Sequence, residues 1–291
     1  IEIAKKNKRN ISNIGSKRSY GDNFLNDDIS IDFKYMNKIV DYDVKNKKIT
    51  VEPGVTIDQL LKFTINDGLI PPVLPGVRYA SIGGCISNNV HGKNVEKNGY
   101  FGNYVESITT ILSNGEELVC DRDKNSDLFY AIVSGLGLIS FIVEVTLKLE
   151  KIETYFLEQF QIKGKGINNL LADYKKIVDD CEFSIALLDN SSFNKKSQRY
   201  KLTYCVFSEK ILSLELKQHK VKKFMFGFVP KSFVPKILRL PFMEMLMYQF
   251  MGLWSGGVIG YFKKSTVSLS DYTFQFDQVL PKYNSFFKNG F

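Results

Sequence analysis

The chain has 291 residues, is 44% hydrophobic and 24% charged, and carries a net charge of +8. That length allows two domains with a substantial core, and no apolar run reaches the roughly 18 residues that a spanning helix needs. With two histidines and four scattered cysteines (Cys85, Cys120, Cys181, Cys205), neither a multi-histidine metal site nor a disulfide framework is expected, and the cysteines read as reduced core residues.

Taken in order, Ile1 to Asn10 is basic and reads as the end of a helix. Ile11 to Ile14 predicts a strand that enters a glycine-rich loop, Gly15 to Asp22. Ile29 to Phe33 and Lys48 to Glu52 are further strands, the latter ended by Pro53-Gly54. Thr56 is placed to cap a helix from Ile57 to Asp67, with Ile57, Leu60, Leu61 and Ile65 on one face and Gly68 as its stop. Ser107 to Ser113 and Glu116 to Cys120 flank Asn114-Gly115, a strong hairpin signal. Ser126 to Ser134 predicts a short helix opened by a Ser/Asp cap. From Ile139 to Leu149 the odd positions are apolar, which predicts a long half-exposed strand.

Between these elements lies the stretch Pro71 to Asn103, rich in proline and glycine. Pro75-Gly76 predicts a turn, and Ser81-Ile82-Gly83-Gly84 predicts entry into a helix of small residues. Glycines let a ligand approach bare backbone, and a helix N-terminus offers N–H groups to an anion. Such a stretch alone reads equally as a buried structural turn. A second glycine-rich loop upstream, at Gly15 to Asp22, changes the balance: two such loops suit a long cofactor with two phosphates.

Beyond Leu149 the texture changes, and a mixed α+β domain of about 150 residues closes there. Strands are predicted at Tyr155 to Ile162, Phe183 to Asp189 and Tyr200 to Phe207, and a helix at Leu170 to Asp179. The segment 220–254 combines bulky apolar residues, Lys222, Lys223, Lys231, Lys236 and Arg239, and three prolines. It reads either as a core loop with a connecting helix or as a patch that meets an anionic membrane surface. Ile1 in first place and the apolar close at Phe291 suggest a piece of a longer protein. No GxGxxG, HExxH, GxSxG or P-loop is present, and nothing resembles an RNA-binding stretch, so a Rossmann site and a nucleic-acid partner are not expected.

Four blocks carry a resemblance: GSKRSYGDN (15–23), PVLPGVRYASIGGCISNNVHGKN (72–94), GYFGNYVESI (99–108) and SDLFYAIVSGLGLISFIVEVTLKLE (126–150). In order and spacing the chain resembles the PCMH-type FAD-binding oxidoreductases of the vanillyl-alcohol oxidase superfamily, nearest the decaprenylphosphoryl-ribose 2′-oxidase branch. The resemblance implies an α+β fold: a PCMH-type FAD-binding domain of two α/β subdomains over residues 1–150, then an incomplete α+β substrate or cap domain over 151–291. It implies FAD as cofactor and no metal. Gly15, Ser16, Lys17, Arg18, Ser19, Tyr20, Gly21 and Asp22 match the first cofactor loop, and Gly76, Ser81, Ile82, Gly83 and Gly84 the second. Asn88, His91 and Gly92 fall beside the flavin ring, and Ile142 matches a strand position at its pyrimidine edge. Lys93 and Asn94 either bind substrate or brace their loop.

Many relatives attach flavin through a histidine at the position of Arg18, so the resemblance implies a non-covalent flavin, with His91 as the alternative anchor. The implied reaction is oxidation of a secondary sugar hydroxyl, and the implied substrate a polyprenyl-phosphate pentose, the precursor class of cell-envelope arabinose. A short-chain reductase is the implied partner. The general base is expected beyond residue 291. The implied location is cytoplasmic, peripheral at the inner face of the cell membrane. Two other readings stay open: a soluble sugar-lactone or alditol oxidase of the same superfamily, and a flavin-free membrane adaptor.

Overall fold

The computed structural model describes residues 1–19, 26–189, 198–210, 213, 262–274 and 277. The chain is α+β and divides into two compact units near Glu153–Thr154. Tyr20, Gly21 and Asp22 of the first loop and the 220–254 segment lie outside the described residues.

In the first unit, helix α1 (Glu2–Asn7) leads to strand β1 (Ile11–Ile14), which pairs in parallel with β2 (Ile29–Asp32). Strands β3 (Ile39–Asp43) and β4 (Lys48–Val51) follow, then helix α2 (Ile57–Thr64). Thr56 caps α2 as the sequence suggests: its hydroxyl accepts from the Gln59 amide, and the Gln59 side chain accepts from the Thr56 amide. Ile57, Leu60 and Leu61 are buried on its inner face, each contributing roughly 1.5–3 kcal/mol of apolar burial. A 3-10 turn, Ile65–Asp67, completes the helical run, and Gly68 stops it at φ 69°.

A short strand β5 (Leu69–Ile70) precedes helices α3 (Ile82–Ser87) and α4 (Val95–Asn98). The expected hairpin follows as β6 (Val105–Ile111) and β7 (Glu117–Asp121), antiparallel, with Gly115 at φ 94°. Helix α5 (Ser126–Ile132) opens differently from the expectation. Its N-cap is Asn125, held at φ 51°, and no side chain caps it. Asn tolerates this left-handed geometry, and its amide is taken by the Val119 carbonyl.

Strand β8 (Phe141–Lys148) corrects a second expectation. Val145 and Leu147 are buried as the odd-position alternation requires, but so is Ile142, while Phe141 and Val143 are only half-buried. The register against β6 shifts between Thr109 and Thr110, so Thr109 faces Glu144 and Thr110 faces Ile142. Such a bulge moves every side chain before it to the other face. With β8 in place, the main sheet runs β3-β4-β8-β6-β7, wholly antiparallel, and β5 pairs with β9 (Glu150–Lys151).

The second unit is a four-stranded antiparallel sheet in the order β11-β12-β10-β13, with β10 Phe156–Lys165, β11 Phe183–Leu188, β12 Arg199–Phe207 and β13 Lys264–Ser268. Helix α6 spans Ile167–Ile177, starting three residues before the expected Leu170. Leu170, Ile177 and Cys181 pack with Tyr200 and Leu202, and with Ile162, Tyr174, Leu188 and Tyr204 around them. Helix α7 (Leu269–Thr273) is capped by the Ser268 hydroxyl, which accepts from the Asp271 amide.

One polar pair pins α6 to its sheet. The buried Tyr200 hydroxyl donates to Asp173 at 2.5 Å, and Lys176 donates to the same carboxylate at 2.9 Å. Burial, reinforced by Asp173, pushes the Tyr200 phenol up to about 12. The Tyr200 and Lys176 hydrogen bonds hold the Asp173 carboxyl below the usual range. Tyr200→Phe is expected to cost about 1–2 kcal/mol at pH 7 in urea unfolding. The lowered Asp173 contributes stability above the unfolded carboxylate pKa and loses it as pH falls through the folded one. The raised Tyr200 contributes below about 10 and loses it as pH climbs through about 12. The wild-type advantage should therefore shrink at both ends; a constant difference between pH 3 and 11.5 would refute this assignment.

Candidate functional site

The two glycine-rich loops meet where β1 ends. The Ser81 amide donates to the Ser16 hydroxyl at 2.9 Å, and the Ser16 amide donates to the Ser81 hydroxyl at 3.3 Å. This reciprocal pair joins loops 65 residues apart in sequence. A Cβ on Gly15 would sit 2.7 Å from the Ser81 hydroxyl oxygen, so the junction needs glycine there. Asn13, two residues earlier, donates to the Gly137 and Ser140 carbonyls and ties in the loop before β8.

A third strip of chain completes the wall. The Pro53-Gly54 turn lies against the 3-10 turn Phe33–Tyr35, and the Gly54 amide donates to the Met36 carbonyl at 2.7 Å. Gly15, Ser16, Lys34, Asn37, Gly54, Thr56, Gln59 and Ser81 line one cavity of about 230 Å³. Of these, Gly15, Ser16 and Ser81 were expected from the sequence. Gly54 and Thr56 were read only as strand stop and helix cap. Lys34, Asn37 and Gln59 carry no local signal of a site.

The entrance to α3 differs from the expectation. The Ile82 and Gly83 amides donate to the carbonyls of Val55 and Pro53 at 2.8 Å, so they hold the 53–55 strip instead of facing an anion. Ile82 is fully buried. Gly83 is needed for contact, since a Cβ there would lie 2.9 Å from the Pro53 side chain.

The other sequence-derived residues spread along the adjoining surface. Lys17 adopts φ 56° and pairs with Asp32 at 3.8 Å. The Arg18 guanidinium lies over the Tyr79 ring at 5.6 Å, and Ser19 is exposed. Gly76 bends the chain after the buried Val73 and Leu74. Asn88 is exposed, its amide donating to the Gly84 carbonyl. His91 is exposed too, edge-on to Tyr100 with Nδ1 3.2 Å from the Gly92 carbonyl. Lys93 is half-buried. Asn94 points inward: it is 6% exposed and its amide holds the Pro72 carbonyl at 2.7 Å, which is the bracing alternative. A Cβ on Gly92 would lie 2.5 Å from Asn94 Oδ1 and 2.7 Å from the Leu74 carbonyl.

On β8, Ile142 is 6% exposed and sits opposite Thr110. Thr110 in turn bonds Ser140, which leads into the loop 134–139. That loop fastens to the end of α3 through the Ser134 and Leu136 amides, which donate to the Ile86 and Ser87 carbonyls. Ser134 and Leu136 adopt φ 73° and 55°, and Leu136 and Leu138 stay exposed.

Comparison with known proteins bears on the first unit above all. Residues 1–121 match the family described as FAD binding domain. These residues are similar to FAD-binding domains of the PCMH type. The chain is 39% identical over 153 residues to decaprenylphosphoryl-beta-D-ribose oxidase of Mycolicibacterium smegmatis, covering 52% of this chain and 33% of that protein. It is 24% identical over 211 residues to L-gulonolactone oxidase of Mus musculus, covering 72% of this chain and 43% of that protein. A putative D-arabinono-1,4-lactone oxidase of Neurospora crassa is 29% identical over 51% of this chain and 26% of its own length. The chain thus spans less than half the length of these relatives.

The residues of the FAD-binding domain fit the cofactor's chemistry. FAD is anionic only at its diphosphate. The cavity offers bare backbone at Gly15, the hydroxyls of Ser16 and Ser81, and an ammonium at Lys34. Its volume suits a segment of a dinucleotide. Asn13 Oδ1, buried beside Gly15, has no hydrogen-bond partner among the described residues, an acceptor left for a donor. Burial pushes Cys85 up to about 12, and burial with the nearby Asp121 pushes Cys120 up to about 11. Among the described residues no helix is long and apolar enough to cross a membrane.

Proposed function

We propose that the protein oxidises a secondary hydroxyl of a sugar with FAD held by the two loops. The observation that carries this reading is the Ser16–Ser81 junction around a cavity lined by glycine, hydroxyls and Lys34. Gly15 to Asp22, with Ser81, Gly83 and Gly84 behind them, hold the diphosphate side of the cofactor. Gly76, Ile82, Asn88, His91, Gly92 and Ile142 shape its remaining course. When bound, FAD supplies the hydride-accepting chemistry. The protein's own residues orient it and exclude water. Arg18 replaces the histidine that would attach flavin, so the cofactor is non-covalent.

The substrate class is a polyprenyl-phosphate pentose oxidised at its 2′-hydroxyl, supported by the 39% identity to the mycobacterial ribose oxidase. Its keto product would pass to a short-chain reductase. The basic, apolar segment 220–254 would carry the enzyme to the anionic inner face of the cell membrane. One observation favours a second reading. Similarity to L-gulonolactone oxidase runs over 211 residues and so extends beyond the FAD-binding domain. In that reading the substrate is a soluble sugar lactone.

The reductive half-reaction separates them. Under anaerobic conditions the flavin absorbance near 450 nm should bleach within about a minute of adding prenyl-phosphoryl ribose, because hydride transfer inside a formed site is fast. Bleaching by L-gulonolactone alone would select the second reading, and bleaching by neither would contradict both.

A further inference from the structure

Among the described residues, two lysines beside the cavity share one carboxylate. Asp32 ends β2, and its Oδ2 is 3.8 Å from the Lys17 ammonium and 3.9 Å from the Lys34 ammonium. One carboxylate therefore serves two cations, both at the outer limit of ion pairing. The second oxygen of Asp32 is occupied, since Oδ1 accepts the Lys34 amide at 3.0 Å and caps the 3-10 turn. The Lys34 ammonium also lies over the Tyr35 ring at 4.6 Å, a face that steers it without neutralising it. Lys34 lines the same cavity as Gly15, Ser16 and Ser81. Arg18 adds a further cation on the adjoining loop, stacked on Tyr79.

We infer that Lys34, held by Asp32 at the rim of the cavity, is a diphosphate-binding residue of this protein and selects FAD over flavins that lack the diphosphate. The inference rests on the reading that these loops hold FAD. The argument is one of charge. A diphosphate brings two negative charges to a place where, among the described residues, Lys17 and Lys34 share the one carboxylate of Asp32. Hydrogen bonds from cations to phosphate oxygens are strong, and Lys acts on phosphate as a point charge, so distance and local charge decide the effect more than angle does. Asp32 plays a double part: it positions both lysines and opposes the anion. Removing its charge while keeping its capping oxygen should strengthen binding.

The test uses the protein stripped of flavin and titrated with FAD or riboflavin, followed by quenching of flavin fluorescence, at low and high salt. Lys34→Met should raise the Kd for FAD about tenfold and leave riboflavin unchanged, the loss of one charge-assisted hydrogen bond. Asp32→Asn should lower the Kd for FAD about two- to fivefold, and salt should erase both differences. Lys34 is more than half exposed, so folding is not at stake, and unchanged melting curves would confirm it. Equal FAD affinity of Lys34→Met and wild type, or an equal loss for riboflavin, overturns the inference while leaving the FAD reading intact. Failure of the wild-type protein to bind FAD overturns the FAD reading itself, and the inference with it.

Discussion

Gly54→Ala is expected to yield protein with less than about a tenth of the wild-type flavin content and a fold weakened by roughly 2–3 kcal/mol. The reason is space. Gly54 has ordinary backbone geometry, but a Cβ there would strike the Phe33 carbonyl and come within 2.6 Å of the Met36 carbonyl. Both are backbone atoms and cannot swing aside as a side chain would. The strip Phe33 to Asn37 must then move away from the 53–54 turn. That strip carries Lys34 and Asn37, and the turn continues into Val55 and Thr56, so one added carbon opens the cavity wall from both sides. The Val55 and Pro53 carbonyls would also lose register with the Ile82 and Gly83 amides. Flavin absorbance per mole of purified protein, with a urea melt on the same sample, checks the claim. Gly115→Ala is the control: nothing lies within 4 Å of its added Cβ, so its φ of 94° alone should cost stability without touching flavin content.

The second large effect lies in the other unit. Asp189 is 1% exposed, and Arg199 donates to its Oδ2 from Nε at 2.9 Å and from the terminal amine at 2.5 Å. The pair stands where β11 ends and β12 begins, and the Asp189 amide also donates to the Arg199 carbonyl. Truncation to Asp189→Ala strands a half-buried guanidinium. Breaking a buried pair on one side costs about 3 kcal/mol, somewhat reduced because Arg199 retains partial access to water. For a unit of this size that corresponds to a fall in Tm of roughly 6–12 °C. Asp189→Asn keeps an acceptor and should recover part of the loss. A Tm within about 2 °C of wild type for Asp189→Ala would show that the pair is not holding the sheet end together.

Legibility differed from residue to residue. Strand β1 and helix α2 could be read directly because their signals are local: a short run from Ile11 to Ile14 ended by Gly15, and Thr56 placed to cap a helix with one apolar face. The loops Gly15–Asp22 and Ser81–Gly84 announced themselves by composition. Gly54 did not, because its requirement comes from Phe33 and Met36, carbonyls 21 and 18 positions away in sequence. The occupied Ile82 and Gly83 amides were hidden for the same reason: the carbonyls they meet arrive from another strip of chain. On β8 the alternation of Ile139 to Leu149 broke at a bulge, with Val143 as the extra residue between the partners of Thr109 and Thr110. Asn125 misled in a subtler way, since the residue that caps α5 does so by backbone conformation and not by its side chain. In each case a local pattern was readable and a close tertiary approach was not.

The central claim is a non-covalent FAD held by the two loops. An absorption spectrum of the purified protein, recorded before and after acid precipitation, tests it most directly. The expected result is a yellow protein whose flavin moves entirely into the supernatant and co-migrates with FAD. Flavin retained in the pellet would make His91 the anchor and contradict the reading of Arg18. Protein that is colourless and stays so after incubation with FAD would contradict the claim altogether.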